Sequence, residues 1–163
     1  MTIELTVKPG NEFTADLRKA FEELVLLDPQ VQQQGLTARI EAASYLAFLH
    51  LDGELVGTNS IKHNRKHQRT IEGHAGVLLP DAEYFGEVGY LHVAEGHRGA
   101  RLGDLLVLAS LAAVQGEGLF ATIQSMNIGS RRLFERHGFV GVGKSWPSTK
   151  VDDQLILCIR PGK

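Results

Sequence analysis

The sequence predicts a mixed α/β (α+β) fold, and three patterns support this. A strand, a glycine-bearing turn and a helix follow one another over residues 87–115. Two apolar strands meet at Asp52-Gly53, a dipeptide that supplies the left-handed backbone of a tight hairpin. Apolar residues between Phe13 and Val25 recur at steps of three and four, which is typical of an amphipathic helix. The 163 residues show no shift in composition, so a single domain over residues 1–163 is expected.

The first half of the chain is predicted to combine short strands with amphipathic helices. Its first residues alternate apolar and polar side chains, as a strand with one covered face does. Asn11 or Thr14 can cap the helix that follows, and Asp28-Pro29 stops it. The predicted elements are a strand at 2–7, a helix ending at 28, a short glutamine-rich helix at 31–43, and hairpin strands at 45–51 and 55–61.

The second half contains a basic run, followed by the strand, turn and helix. The run from Lys62 to Arg69 is expected in a loop, either as a solvated flank of the hairpin or as a contact for phosphate or an acidic substrate. Residues 70–79 resemble a strand loosened by Gly73 and Gly76. The remaining predicted elements are strands at 87–93, 119–123, 139–142 and 154–159 and helices at about 99–115 and 127–137.

Charge and cysteine content narrow the classes of function. A net charge of −2 gives no overall electrostatic reason to expect nucleic-acid or membrane binding. The longest apolar run, residues 105–114, is far shorter than the roughly 20 residues of a bilayer span. No signal peptide is recognised and Cys158 is the only cysteine, so a cytoplasmic location is expected. His63 and His67 stand four apart, but the surrounding positive charge argues against a metal.

The turn after residue 93 has the composition of a phosphate-binding loop. Gly99 and Gly103 allow a ligand to approach the backbone closely, and the first amides of the following helix carry the positive end of its dipole. Arg98 and Arg101 add fork-shaped cationic donors that suit a pyrophosphate. The alternative for this stretch alone is a tight connection with solvated arginines.

Two motifs in this order resemble a known family. The turn is Arg98-Gly-Ala-Arg-Leu-Gly103, and the later motif is Asn127-Ile-Gly-Ser130-Arg-Arg-Leu-Phe134-Glu-Arg-His-Gly138-Phe139. Residues 87–139 thereby resemble the core of the GNAT superfamily of acyl-CoA-dependent N-acetyltransferases. The resemblance implies a mixed, mostly antiparallel central sheet of about six or seven strands, splayed at the cofactor site and flanked by about four helices. Arg101 replaces the family's middle glycine, and Phe134 replaces a tyrosine that protonates the departing thiolate in many members.

The resemblance also implies which residues bind the cosubstrate, acetyl-CoA. The backbone of Leu91, His92 and Val93 would meet pantetheine, and one amide there would polarise the thioester oxygen. Asn127 would steady pantetheine through its amide side chain, and Phe134 would pack near the sulfur. The other residues implied at the cofactor are Arg98, Gly99, Ala100, Arg101, Leu102, Gly103 and Asp104 at the pyrophosphate, and Ser130 by its motif position.

Direct attack on the thioester needs a neutral amine and therefore a base. Glu87 is the first candidate, since it occupies the position of the glutamate used as base by histone-type members; a solvent-facing carboxylate is the alternative. His92 titrates in the right range, but strict alternation would place it on the opposite face from Glu87. A structural histidine is the alternative there.

The expected function is transfer of an acetyl group from acetyl-CoA to a primary amine of a small molecule or peptide, releasing coenzyme A. The acidic residues Glu72, Asp81, Glu83 and Glu87 would favour a cationic acceptor if they face the cleft, and ordinary surface charge is the alternative. Trp146 is a candidate for the wall of the acceptor pocket, and Cys158 is expected to be too buried to carry an acyl group.

The alternative functions are a non-catalytic acyl-CoA sensor or partner-binding module, transfer of a longer acyl group, and acetylation of aminoacyl-tRNA. In the family that the chain resembles, chains often pair through their terminal strands, so the resemblance offers a homodimer as an alternative to a monomer.

Overall fold

A computed structural model of the chain describes residues 1–163 and contains seven strands and five α-helices. The strands are β1 (Ile3–Lys8), β2 (Tyr45–Leu51), β3 (Glu54–Lys62), β4 (Tyr84–Val93), β5 (Gly118–Gln124), β6 (Val140–Pro147) and β7 (Gln154–Arg160). The α-helices are α1 (Ala15–Val25), α2 (Leu36–Ala42), α3 (Arg65–Ala75), α4 (Leu102–Ala113) and α5 (Ile128–Arg136).

The strands lie in the order β1-β2-β3-β4-β5-β7-β6. The pairs β1–β2, β2–β3, β5–β7 and β6–β7 are antiparallel, and β4 pairs with β5 in parallel. The parallel register runs from Tyr84 opposite Gly118 to Glu87 opposite Phe120. The prediction of a mixed, mostly antiparallel sheet is confirmed.

The chain forms two compact units, Met1–Lys62 with Gly89–Ala113 and His63–Val88 with Val114–Lys163. Strand β4 passes from the second unit into the first at residues 88 and 89. No helix combines the length and apolar character needed to cross a membrane. The single domain expected from the sequence stays a prediction.

In the first unit, alternate residues of β2 serve two separate apolar clusters. Leu46 and Phe48 pack with side chains of α1 and α2, whereas Ala47 and Leu49 pack with side chains of α4. Successive strand residues point to opposite faces, so α1 and α2 cover one face here and α4 covers the other. The cluster on the α1 and α2 side contains Phe13, Phe21, Val25, Leu36, Ile40 and Ala43.

A helix cap and a tight turn in the first unit form as the sequence predicts. The Thr14 hydroxyl accepts a hydrogen bond from the Leu17 amide at 3.2 Å and caps α1. Asp52 and Gly53 adopt φ values of 49° and 85°, the two left-handed residues of a tight turn. The hairpin of β2 and β3 is therefore confirmed.

In the second unit, α3 packs against β6 and β7. Its buried side chains join an apolar cluster with residues of four strands and of the segment before β4. The cluster contains Ile71, Ala75, Leu79, Tyr84, Phe120, Trp146 and Leu157. Trp146 lies within β6, whereas the sequence predicts a loop at 143–153 between the last two strands. Its indole ring stacks on His74 at 5.3 Å.

Helix α3 corrects two predictions, the loop at 62–69 and the strand at 70–79. The Asn64 carboxamide oxygen accepts from the His67 amide at 3.0 Å, which caps the helix, and Gly76 ends it with φ of 70°. Only Gln68, Ile71 and Ala75 are buried along it. A helix that buries one glutamine and two small or medium apolar side chains has few apolar residues to mark it in the sequence.

Candidate functional site

The segment between β4 and α4 is built as a tight, exposed turn. The Ala94 amide donates to the Val56 carbonyl at 2.8 Å and holds the end of β4 beside β3. A 3-10 turn over Glu95–His97 follows, and Gly99 then adopts φ of 87°. Helix α4 begins at Leu102, whose buried side chain joins the apolar cluster on the α4 side of the first unit. The turn is thus anchored at both ends while its middle is exposed.

Two arginines flank the N-terminus of α4. The Arg98 Nε atom donates to the Val93 carbonyl at 3.0 Å, and the side chains of Arg98 and Arg101 are exposed. Asp104 lies in the first turn of α4, where a carboxylate interacts favourably with the helix dipole. Helix-terminal amides with two guanidinium groups form a site that can bind linked phosphates.

Arg101 keeps the backbone conformation that a glycine would supply. Its φ is 60°, in the left-handed region, where an L-residue is disfavoured by about 1–2 kcal/mol. The chain therefore retains the turn despite the substitution that distinguishes it from the family motif. The exposed guanidinium is an added cationic donor at that position.

Strand β4 is distorted at Tyr90, which has φ of 57°. Two buried hydroxyls of β3 bind the carbonyls on either side of this distortion. Ser60 Oγ donates to the Gly89 carbonyl at 2.7 Å, and Thr58 Oγ1 donates to the Tyr90 carbonyl at 2.8 Å. Two successive carbonyls of β4 therefore point toward β3, whereas a regular strand alternates them.

The distortion turns two successive amides to the other edge of β4. In a trans peptide the C=O and N–H groups point in opposite directions, and every peptide of this chain is trans. The amides of Tyr90 and Leu91 consequently project from the edge of β4 that faces away from β3. Paired backbone donors of this kind can stabilise a developing oxyanion.

Glu87 is a buried carboxylate in the second unit, with a residue exposure of 5%. Its Oε1 atom lies 3.6 Å from Nε2 of His67, in the first turn of α3, and the His67 side chain is 48% exposed. The solvent-facing alternative for Glu87 is therefore excluded. A buried carboxylate next to an imidazole can accept and release a proton.

His92 is half-buried in the first unit. Burial is the main cause that lowers the pKa of His92, the Arg98 charge lowers it further, and the Asp28 charge opposes both. The imidazole is therefore neutral at pH 7. The strict alternation of side chains along β4 is interrupted at Tyr90. Alternation therefore no longer requires His92 and Glu87 to lie on opposite faces.

The ring of Tyr90 is held by three side chains of the first unit. The Arg39 Nε atom donates to the Tyr90 hydroxyl at 3.2 Å, and Phe21 meets the ring edge-on at 6.3 Å. The Lys62 ammonium lies 4.5 Å from the ring centroid. A Cβ on Gly89 would stand 2.6 Å from Lys62 Cε, so a side chain there would displace this lysine.

The later motif residues lie in the second unit. The Asn127 Oδ1 atom accepts from the Ser130 amide at 3.1 Å and caps α5. Phe134 is buried and packs edge-on against Phe139 at 5.0 Å. The carboxamide of Asn127 is thus oriented by the helix it caps, with Nδ2 as its remaining donor group.

Asp153 holds the turn that precedes Asn127. The Ser125 hydroxyl donates to it at 2.5 Å, and the amides of Met126 and Gln154 donate at 3.1 Å and 2.6 Å. The Ser125 side-chain hydrogen bond is the first cause that lowers the pKa of the Asp153 carboxyl, and the backbone hydrogen bonds of Met126, Gln154 and Ser125 lower it further.

The predicted site residues are divided between the two units. The first unit holds Leu91, His92, Val93 and the turn at 98–104, and the second unit holds Glu87, Asn127, Ser130 and Phe134. Their joint role stays a prediction. No group of three or more His, Cys, Asp or Glu side chains is arranged to hold a metal ion.

Two acidic residues of the predicted cationic-acceptor cluster have internal partners. Glu72 accepts from the Leu79 amide at 2.6 Å and lies 3.3 Å from the Arg69 guanidinium. Asp81 pairs with Arg65 and Arg69. These carboxylates stabilise the segment between α3 and β4, so they give no reason to expect a cationic acceptor.

Cys158 is buried in β7, and burial raises the pKa of its thiol. A buried, protonated thiol is a poor nucleophile, as expected from the sequence. The chain therefore gives no support for an acyl-enzyme on cysteine.

Sequence reasoning missed Thr58, Ser60 and His67. Thr58-Asn59-Ser60 is a run of three polar residues inside an apolar strand, and all three are fully buried. That run was the available signal, because buried hydroxyls need partners. The sequence predicts a loop around His67, so it gives no signal for the position of this side chain opposite Glu87.

Comparisons with known proteins agree with this geometry. The family model described as Acetyltransferase (GNAT) family matches residues 11–139. No curated protein matches the sequence significantly. Similar solved structures include an acyl-CoA N-acyltransferase from Pseudomonas aeruginosa (TM-score 0.69, 16% identity, covering 98% of this chain and 99% of that chain). Escherichia coli ElaA (TM-score 0.73, 16% identity, 98% and 99%) and Arabidopsis thaliana NAA60 with a bisubstrate analogue (TM-score 0.69, 15% identity, 97% and 98%) are also similar. At these identities, the solved structures establish the fold.

Proposed function

Because the chain belongs to the acetyltransferase (GNAT) family, we propose that it transfers the acetyl group of acetyl-CoA to a primary amine, with release of coenzyme A. The distortion of β4 at Tyr90 is the observation that carries this proposal. It presents two successive amides at one strand edge, held by the hydroxyls of Thr58 and Ser60. A strand that served only to pack side chains in the core would not need two successive amides at one edge.

The cosubstrate is assigned to residues of both motifs. In this proposal, the α4 amides, Arg98 and Arg101 bind the pyrophosphate, and the backbone of Leu91, His92 and Val93 meets pantetheine. Asn127 donates from Nδ2 to pantetheine, while its Oδ1 caps α5. The exposed turn and the oriented carboxamide support these roles.

The proposed chemistry is direct attack by a neutral amine on the thioester. Glu87 accepts the ammonium proton; holding a lysine-like amine neutral at pH 7 otherwise requires about 4–5 kcal/mol. The amides of Tyr90 and Leu91 donate to the oxyanion of the tetrahedral intermediate, which can contribute roughly 3 kcal/mol. The thiolate then leaves and takes its proton from water, because Phe134 offers no acid. A thiol of pKa near 8.5 leaves as an anion at pH 7 at a penalty of about 2 kcal/mol.

His92 is the second candidate for the base. Its lowered pKa keeps the imidazole neutral at pH 7, as a general base requires. Loss of activity in Glu87→Gln with retention in His92→Gln would favour Glu87, and the reverse result would favour His92.

Acetyl-CoA titration followed by assay of free thiol tests the function. Binding would be measured by calorimetry, and thiol release would be followed with a panel of tyramine, spermidine, lysine ethyl ester and a peptide with a free amino terminus. We expect saturable binding and amine-dependent thiol release. Binding without release from any amine would instead support the non-catalytic sensor, which the buried Phe134 in place of an acid favours.

A further inference from the structure

We propose that His67 relays to solvent the proton that Glu87 removes from the acceptor amine, an inference that rests on the proposed acetyl transfer. His67 does not contact the acceptor in this scheme and acts only through Glu87. The proton that leaves an ammonium substrate would then exit through the first turn of α3.

The relay follows from the contrast in exposure between the two side chains. The Glu87 side chain is 6% exposed and the His67 side chain is 48% exposed, while Oε1 and Nε2 are 3.6 Å apart. A base so deeply buried must return its proton to water once per turnover. The imidazole is a titratable group that contacts this carboxylate and also reaches solvent.

The position of His67 is determined by the helix cap. Its amide donates to the Asn64 side chain at 3.0 Å, so the residue is held in the first turn of α3. The cap therefore keeps the imidazole beside the Glu87 carboxylate, with Nε2 3.6 Å from Oε1.

The other charged and titratable side chains beside His67 make contacts of their own or are exposed to solvent. Arg65 donates to Gln68 and to the Tyr84 carbonyl and pairs with Asp81. His63 Nδ1 lies 2.8 Å from the Phe85 carbonyl, and Lys66 is exposed. From β4, Glu87 is the carboxylate that faces His67.

Each turnover releases one proton, which has to reach solvent. An ammonium acceptor and acetyl-CoA give the acetylated amine, coenzyme A as its thiol, and one proton. Glu87 takes a proton from the ammonium nitrogen, and the nitrogen lone pair then attacks the thioester carbon. The C–S bond breaks, and the sulfur takes the amine's second proton by way of water. Glu87 passes its proton to the Nε2 lone pair of His67, and buffer removes it.

His67→Gln tests the relay because glutamine keeps a polar contact but cannot carry a proton. The matched control is His74→Gln, which removes a histidine two turns further along the same helix. Free thiol would be assayed with the panel amine that the unsubstituted protein acetylates fastest, from pH 6 to pH 10, with and without imidazole. Circular dichroism would check that both variants fold.

We expect kcat of His67→Gln to fall about tenfold at pH 7 and to recover with added imidazole, because the relay step follows bond cleavage. The deficit should shrink toward pH 10, where the amine loses its proton without help. His74→Gln should match the unsubstituted protein. An unchanged His67→Gln, a loss equal at every pH, or a loss that imidazole does not rescue would each overturn the relay.

Failure of the proposed function would look different. In that case the unsubstituted protein would release no thiol with any amine. If it does turn over while Glu87→Gln stays fully active, the relay is overturned and the transfer activity stands.

Discussion

Arg101 is the residue at which this chain departs most clearly from a glycine-rich phosphate turn. Its left-handed φ of 60° means that the backbone conformation is retained although a side chain is present. The penalty for that conformation is offset by a second cationic donor at the turn if phosphate binds there. Stability and ligand binding should therefore respond in opposite directions when this residue is changed.

Arg101→Gly should stabilise the free protein and weaken acetyl-CoA binding. Glycine relieves roughly 1–2 kcal/mol of left-handed strain but costs about 0.5–1 kcal/mol through the greater entropy of the unfolded chain, so a net gain of up to about 1.5 kcal/mol is expected. Urea unfolding and calorimetric titration with acetyl-CoA measure the two effects. Arg101→Ala is the control, because it loses the charge and keeps the strain. Equal stability of the glycine and alanine variants would contradict this account.

At the scale of elements, β3 determines the shape of β4. Its two buried hydroxyls bind carbonyls that a regular antiparallel ladder would not turn toward it. The adjacent Asn59 donates to Ser110 at 3.0 Å and so ties β3 to α4. The polar run in β3 therefore serves both neighbours of the strand.

Thr58→Val removes one of these hydroxyls with little change in shape. The Tyr90 carbonyl would lose its donor, which should lower the free energy of unfolding by about 1–2 kcal/mol. Turnover should fall about tenfold or more, since the Tyr90 and Leu91 amides lose their alignment. Urea unfolding and thiol release would measure these effects. Thr6→Val, on the edge strand β1, is the control and should leave turnover intact; a matching loss there would contradict a specific role for Thr58.

The turn between β5 and α5 should show a pH dependence through Asp153. Hydrogen bonds lower its pKa in the folded state, so the carboxylate adds stability above its unfolded pKa of about 3.9, and that stability is lost as pH falls through the folded pKa. Asp153→Asn should therefore be less stable than the unsubstituted protein at pH 7, with the difference fading below about pH 4. Urea unfolding at pH 7, 5 and 3 measures this. A difference that persists unchanged at pH 3 would indicate another cause.

For the whole molecule, the elements with strong local signals were predictable and those defined by tertiary contacts were not. The hairpin followed from Asp52-Gly53, and the strand, turn and helix around Gly99 followed from apolar pattern and glycine. Helix α3 was missed because it buries few apolar side chains, and Tyr90 because nothing local marks a left-handed tyrosine. The motif residues were identifiable, whereas the partners that orient them, such as Ser60, arise only on folding.

Both units should unfold in a single transition, because β4 contributes residues to each. Trp146 is the only tryptophan and lies in the second unit, so its fluorescence reports that unit. Far-ultraviolet circular dichroism also reports α1, α2 and α4 of the first unit. The two denaturant curves should coincide, as two-state unfolding requires. Separate midpoints would contradict the single domain that the sequence predicts.

The burial of Cys158 has a practical consequence for anyone who measures this protein. A colorimetric disulfide reagent will leave its sulfur untouched in the native state, because the thiol is covered and keeps its proton at neutral pH. Every absorbance change during catalysis then originates from liberated coenzyme A. The same reagent in strong denaturant should titrate one equivalent per chain and so calibrate the enzyme concentration in the same cuvette.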